Sequence, residues 1–485
     1  MSCPQLLTEN GKNNVKRPWL TVSLLAIIAG MSIIGINHAA SVALESGISR
    51  FRAALPAGAT LSYTSARPAI LARGALLKDV VLQNGDVTFR AHTLRLGHPI
   101  PTPDGGLTLS HVDMEDPAFQ TPHSIIRAQS AHMTHLVTPP PTHGKSGVQA
   151  LDFGHITLDR GSVDHLSVQN LSQTIQPDGT HFNNLTTDSI QIDGYGPAQT
   201  TTVSLRNALA IVSRTVVQPD KTSHMVSMQL GVRVFRLKQP ELAAWVASQQ
   251  LNDSRLSYTV PPLDSMSLSD AQVISSDQSF RLENMSGNGV RKDGTETSTF
   301  EGQGLHLHTS RAHFPVHIDG QHSTVTYTQE RSTATGAIHA QALLTVPNLT
   351  EIHFAMDLLG PSDQQLKTAR PGTLQDMIQL GQFSLTLHGD RLIQMLPSLN
   401  AGHALEGTEQ EQARTTLAQG LQMGLSPYPS LAALPDFIAS PNNRTLSIVL
   451  APKPPMALTA LSSLAASPAG ILSLLSPDVL TVSAR

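Results

Sequence analysis

The chain has 485 residues, a net charge of -4, 14% charged residues and only 4% aromatic ones. Such a length holds roughly two to four domains or one long array, and a near-neutral charge without a basic block excludes a nucleic acid as partner. The one cysteine is Cys3, which excludes disulfides and cysteine-ligated metals from everything after it.

Trp19 to Ile36 is an uncharged run of 18 residues. As a helix it reaches about 27 Å, close to the roughly 30 Å hydrocarbon core of a bilayer. Lys12, Lys16 and Arg17 precede it, and the next basic residues are Arg50 and Arg52. The positive-inside rule therefore keeps residues 1–18 in the cytoplasm and exports the rest. A cleaved signal peptide is the competing reading. Its best site, before Ser41, puts His38 where a small residue is preferred. Cys3 precedes the run and so cannot carry the lipid of a lipoprotein. A large exported region without disulfides fits a bacterial envelope: a single-pass inner-membrane protein, N-terminus in, with its bulk in the periplasm.

After the anchor, residues 41–55 fit an amphipathic helix with Val42, Leu44, Ile48, Phe51 and Leu55 near one face, ended by Pro56-Ala57-Gly58. Strands follow, read from a period of two. Val87, Phe89 and Ala91 alternate with Thr88, Arg90 and His92. Leu107 and Leu109 repeat the pattern, as do Ile190 and Ile192. The cleanest run is Val226, Met228, Leu230, Val232 and Val234. Later runs are Phe314–Ile318, Ile338–Val346, Ile352–Leu358 and Phe383–Leu387, with Ile352, Phe354, Met356 and Leu358 forming a second stripe. Turn signals such as Asn84-Gly85-Asp86 and Pro177-Asp178-Gly179 separate them.

Helical signals are few. Leu242, Trp245 and Val246 follow Pro240; Leu392, Ile393, Leu396 and Leu399 share a face; Thr408 and Glu411 have capping-box spacing. Met456 to Leu475 is rich in Leu and Ala, with Pro468 interrupting it, and Leu480 and Val482 suit a last strand. The expected division is a β-rich segment at 41–138, others at 148–260 and 264–389, and a helical segment at 390–485 closing on a strand. The expected linkers are Pro139–Gly147, Gly360–Gly372 and Ala451–Pro455. The fold class is thus mainly β: an elongated antiparallel sheet or β-groove, an N-terminal transmembrane helix and a few C-terminal helices.

Chemistry is sparse. The sequence holds no His-Glu-x-x-His, Gly-x-Ser-x-Gly, Ser-x-x-Lys or Cys-x-x-Cys. Gly144-Lys145-Ser146 resembles the end of a P-loop but lacks its first glycine, because Pro139 stands there. His306, His308, His313, His317 and His322 cluster, and His306 with His308 has the spacing of a strand-borne metal pair. Their neighbours Leu305 and Leu307 point to the dry face, so these histidines read as wet-face residues, as do His92, His339, His353 and His388. Asp113, Glu115 and Asp116 read as a solvated turn. The reading is therefore of a non-enzyme without cofactor or metal. Val226, Met228, Leu230, Val232, Val234, Ile352, Phe354, Met356 and Leu358 remain as candidates, either as plain core or as the lining of an apolar groove for acyl chains.

With the anchor at 19–36, the segment Gly74–Leu82 (GALLKDVVL) leading into an alternating strand, and strand after strand of that kind, the chain resembles the AsmA-like group of single-anchor bacterial envelope proteins. The resemblance implies an elongated, curved periplasmic sheet and a part in lipid traffic or outer-membrane assembly. Two functions follow as expectations. One is envelope homeostasis through lipid binding or transfer. The other is a scaffold that binds another envelope protein through a sheet edge or the C-terminal helices.

Overall fold

The computed structural model describes residues 59–69, 74–104, 106–140, 152, 154–171, 180–217, 223–250, 263–276, 278–309, 316–347, 349–368, 377–388, 391, 393, 397, 405–441, 444–465 and 468–485. The expected anchor at 19–36 and helix at 41–55 lie outside these residues. Among the described residues no helix is long and apolar enough to cross a membrane.

Among the described residues twenty-three strands form one sheet. The first half comprises β1 (Ala59–Ser62), β2 (Ser65–Ala69), β3 (Gly74–Asn84), β4 (Val87–Gly97), β5 (Ile100–Pro101), β6 (Leu107–Glu115), β7 (Ala118–Gln120), β8 (Ser124–Arg127), β9 (Ser130–Thr138), β10 (Leu158–Asn170), β11 (Thr180–Tyr195) and β12 (Thr200–Val217). The second comprises β13 (Ser223–Pro240), β14 (Ser265–Ile274), β15 (Gln278–Lys292), β16 (Thr295–Thr309), β17 (Val316–Ser332), β18 (Ala337–Val346), β19 (Thr350–Leu359), β20 (Gln379–His388), β21 (Thr445–Leu450), β22 (Met456–Ala457) and β23 (Leu480–Ala484). Among the described residues the α-helices are α1 (Leu242–Gln250), α2 (Asp363–Thr368), α3 (Gly407–Leu425), α4 (Ala433–Ala439), α5 (Leu458–Ala465) and α6 (Pro468–Leu474).

From β10 to β20 every strand pairs antiparallel with the next. Short turns join β11 to β12, β15 to β16 and β17 to β18. Asp293 and Gly294, both at positive φ, close the β15–β16 hairpin in the way a two-residue turn demands. The pairing crosses each expected domain boundary: β9 with β10, β13 with β14, and β20 with β21. The segments are therefore parts of one continuous sheet. The expected linker at Gly360–Gly372 contains α2 instead. Ser362 Oγ accepts from the Gln365 N–H at 3.2 Å, Gln365 Oε1 accepts from the Ser362 N–H at 2.8 Å, and Leu366 is buried. This is a capping box, with Ser362 and Gln365 at the spacing that such a box requires. The box expected at Thr408 does not form, because Glu406 occupies the cap and makes no side-chain cap bond.

Directly opposed residues share a face, so the register defines rows across the sheet. One row runs Leu77, Leu94, Met114, Ala131, Val163, Ile190, Leu205 and Phe235. It continues through Leu268, Met285, Gly302, Val325, Leu344, Ile352, Leu387, Leu446 and Ala484. Not one member is polar. This is the inner face of the sheet.

The expected strict alternation fails along one line. Buried positions on β3 are Ala75, Leu77, Val80 and Leu82, and on β4 they are Phe89, Ala91, Leu94 and Leu96. The middle interval is three, so two consecutive residues point outward. They are Lys78-Asp79 on β3, His92-Thr93 on β4, Asp164-His165 on β10, Asp188-Ser189 on β11, Arg206-Asn207 on β12, and Ser269-Asp270 on β14. Asp79, His165, Asn207, Asp270 and Gly304 have φ between 49° and 71°. The ladder passes over His165 and Asp188, then Asn207 and Arg233, then Arg233 and Asp270, then Asp270 and Glu283. A left-handed residue on every second strand thus turns the pleat over at one level, making an outward polar crease across the sheet.

Candidate functional site

The inner face is closed at its two ends and half open between them. From β3 to β11 it forms a core of buried Leu, Val, Ile and Met, including Leu94, Leu136, Leu166 and Val168. Leu242, Ala243 and Val246 of α1 complete this core. At the other end Ile393, Ala418, Phe437, Ile438, Leu446 and Val482 form a second core beneath α3 and α4. Between the cores the rows continue with their side chains only partly covered. The row Ile126, Val168, Leu185, Ala210, Leu230, Val273, Phe280 and Leu307 shows the change. Its first three members are fully buried, whereas Leu230 and Phe280 are each 39% exposed.

Of the candidate stripe on β13, Val226, Met228 and Val232 are half-buried and Leu230 is exposed. Val232 stands in an apolar row with Ala208, Ala271, Leu282 and Leu305. Val234 does not continue the stripe. It is opposed to Arg206 and Ser269, and Ser269 to Asn284, so it lies on the polar side of the crease. Phe235 and Leu237 take up the inner face in its place. The reason is the turned pleat at Arg233, which a single strand's sequence does not reveal.

On β19, Ile352, Phe354, Met356 and Leu358 are all half-buried. Ile352 belongs to the long row that includes Phe235. Phe354 is opposed to Ala342 and Leu385, and its ring meets that of Phe383 edge-on at 5.2 Å. Met356 is opposed to Ala340 and Phe383, and Leu358 to Ile338 and Leu380. The two stripes therefore lie on one face, six strands apart, and the rows through β14–β18 join them without direct contact.

One rim of this face is ionic. Arg331 is buried on β17, donates to Glu296 Oε2 at 3.0 Å and to Asp363 Oδ1 at 2.7 Å, and Arg291 reaches Asp363 at 2.8 Å. Burial works against the Arg331 charge, but the bonds to Asp363 and Glu296 outweigh it and raise its pKa above the usual value. The network ties α2 to the end of Ile338 and Leu358's row.

The outer face carries the histidines. His92, His308, His322, His339, His353 and His388 are exposed, and His306 is half-buried. Several meet carboxylates across strands: His92 with Asp79 at 2.8 Å, His135 with Asp159 at 2.6 Å, His306 with Glu283 at 3.1 Å, and His132 with Asp113. His313 lies outside the described residues. Among the described residues no group of three His, Cys, Asp or Glu could hold a metal ion. Ser110, His111 and Asp113 come near one another, with Ser110 Oγ 3.1 Å from His111 Nδ1. The His111–Asp113 gap of 3.9 Å is beyond a hydrogen bond, and Asp113 is engaged by His132. A depression of about 640 Å³ beside Arg236, Lys238, Ser267, Asn288 and Glu301 adds polar surface without a nucleophile-and-base pair.

The model of a protein family described as an uncharacterized protein matches residues 337–484, which spans β18 to β23. No curated protein matches the chain.

Proposed function

We propose that the chain is a membrane-anchored periplasmic protein of a bacterial envelope that holds lipid acyl chains on the half-open inner face. The observation that carries this reading is the row from Ile126 to Leu307, apolar throughout, buried at one end and exposed at Leu230 and Phe280. From β12 to β20 the face spans eight strand-to-strand steps. At 4.8 Å per step this is about 38 Å, more than twice the roughly 15 Å depth of one bilayer leaflet, so an acyl chain fits along it. The AsmA-like resemblance implies the same class of ligand. The test is lipid extraction and mass spectrometry of the purified full chain. Wild type is expected to carry phospholipid, and Leu230→Asp and Phe280→Asp to carry several-fold less. Wild type without lipid would defeat the reading. Its topological half is checked with C-terminal reporters: activity only from a cytoplasm-dependent reporter would overturn periplasmic placement.

A second reading, a scaffold for another envelope protein, draws on β23. Among the described strands it pairs only with β21, leaving one edge for a partner strand. Photocrosslinking from Thr481 to an envelope protein, with no lipid in the extract, would favour it.

A further inference from the structure

From Pro454 to Pro477 the chain has no acidic, basic or histidine side chain. The stretch forms β22, α5 and α6. Three large apolar residues stand out from it: Leu458 is 38% exposed, Ile471 45% and Leu472 50%. On the sheet, the exposed Leu230, Phe280 and Val290 each have a charged or amide neighbour: Gln229, Arg281 and Arg291. Here the neighbours are Ala457 and Thr459 around Leu458, and Gly470 and Ser473 around the Ile471-Leu472 pair.

Three hydroxyls of this stretch turn back on its own backbone. Ser462 Oγ and Ser463 Oγ donate to the Thr459 carbonyl at 2.8 and 2.9 Å, and Ser473 Oγ donates to the Gly470 carbonyl at 2.7 Å. A serine that donates to a helix carbonyl keeps its proton out of the surroundings. Pro468 opens α6 with no N–H to satisfy. A protein partner would be met by a polar rim with hydrogen bonds to offer. A hydrocarbon medium instead demands that polar groups be satisfied from within. Ser462, Ser463 and Ser473 meet that second demand.

We propose that α5 and α6 form a membrane-docking hairpin that inserts Leu458, Ile471 and Leu472 into the interfacial zone of a lipid bilayer. The usual interfacial helix adds a basic face that seeks anionic lipid. This hairpin has none, so its docking is independent of lipid charge and of salt. It acts apart from any lipid held on the inner face of the sheet. It also lies at the chain's far end from residues 19–36, so it supplies a second membrane contact.

The test uses the full chain with Cys3→Ser, which removes the one native thiol. Ile471→Cys carries an environment-sensitive fluorophore, and Met423→Cys on α3, a site 75% exposed, serves as reference. Each protein is presented to phosphatidylcholine vesicles whose acyl chains bear bromine. Emission at 471 is expected to fall about twofold or more while emission at 423 holds, as for a probe sunk to the headgroup–acyl boundary. Adding Leu458→Asp with Leu472→Asp should abolish the quenching and leave the circular dichroism unchanged, because both sites face outward. Equal quenching at 471 and 423 overturns the proposal. So does quenching that needs anionic lipid or disappears in high salt. Self-quenching that rises with protein concentration, without bromine quenching, would place a second copy on the hairpin instead and overturn it too. Failure of the anchor at 19–36 reads differently: the double variant would cease to float with vesicles, while wild type would still be quenched at 471.

Discussion

At the residue scale, the crease is made of short polar side chains that tolerate left-handed backbone. Asn207 has φ of 49° and donates from Nδ2 to Asp188 Oδ2 at 2.6 Å. Asn207→Gly should leave stability nearly unchanged, whereas Asn207→Val should cost about 1–2 kcal/mol, because a β-branched residue resists positive φ. Urea unfolding of the two variants side by side checks this, and equal stability would mean the backbone there relaxes. Asp79 is the titrating member. Hydrogen bonds from Thr64, and then from His92, hold its carboxyl below the ordinary value of 3.8. A depressed folded pKa contributes stability above the unfolded pKa, and that contribution is lost as pH falls through the folded one. Thr64→Val should therefore raise the Asp79 pKa toward the ordinary value in an NMR titration and leave behaviour at pH 7 alone. The wet-face histidines were legible from alternation with Leu305 and Leu307. The pairing of His92 with Asp79, His339 with Asp357 and His306 with Glu283 was not, because partners 13 to 23 residues away depend on register.

At the scale of elements, the strands were readable and their phase was not. β4, β6, β11, β13, β18, β19 and β20 stand where alternation puts them, and α1, α5, α6 and β23 where the apolar spacing does. The interval of three in Ala75, Leu77, Val80 and Leu82 is visible in the sequence, but within one strand it looks like noise. It acquires meaning only when the same interval recurs at the same level on its neighbours. Hence alternation along β13 puts Val234 on the face of Val232, although the sheet turns between them. Likewise, alternation states that one face is dry, but not how tightly it is covered. Leu94 and Leu230 are alike in sequence context, yet Leu94 is 0% exposed and Leu230 is 39% exposed. Leu94→Asp should bury an unpaired charge and unfold the protein, a loss of about 4 kcal/mol or more. Leu230→Asp leaves its carboxylate hydrated and should shift stability by about 1 kcal/mol or less. Thermal unfolding followed by circular dichroism separates them. Equal collapse of both would mean that the middle of the sheet is as closed as its ends.

For the whole molecule, the decisive feature is that one apolar surface is sealed at both ends by different means. Near β3–β11 the sheet and α1 make the seal, and at β21 and β23 the helices α3 and α4 do. Between them β13 to β17 rely on their ladders, with half-covered side chains on the inner face. Opening of a backbone hydrogen bond is governed by the packing that must be broken with it. Hydrogen–deuterium exchange should therefore be slowest in peptides from β3 to β11, intermediate in β20 to β23, and fastest in β13 to β17. Long ladders oppose this ordering, because β12 with β13, and after it β15 with β16 and β16 with β17, are the longest pairings among the described strands. If hydrogen bonding alone set protection, those strands would be the slowest instead. The measurement thus weighs packing against ladder length in one chain. Adding phospholipid should slow exchange in β13 to β17 and leave β3 to β11 as they were, since only the middle has apolar surface to cover. Uniform protection without lipid, or a lipid effect spread evenly over the sheet, would remove the basis for a half-open face.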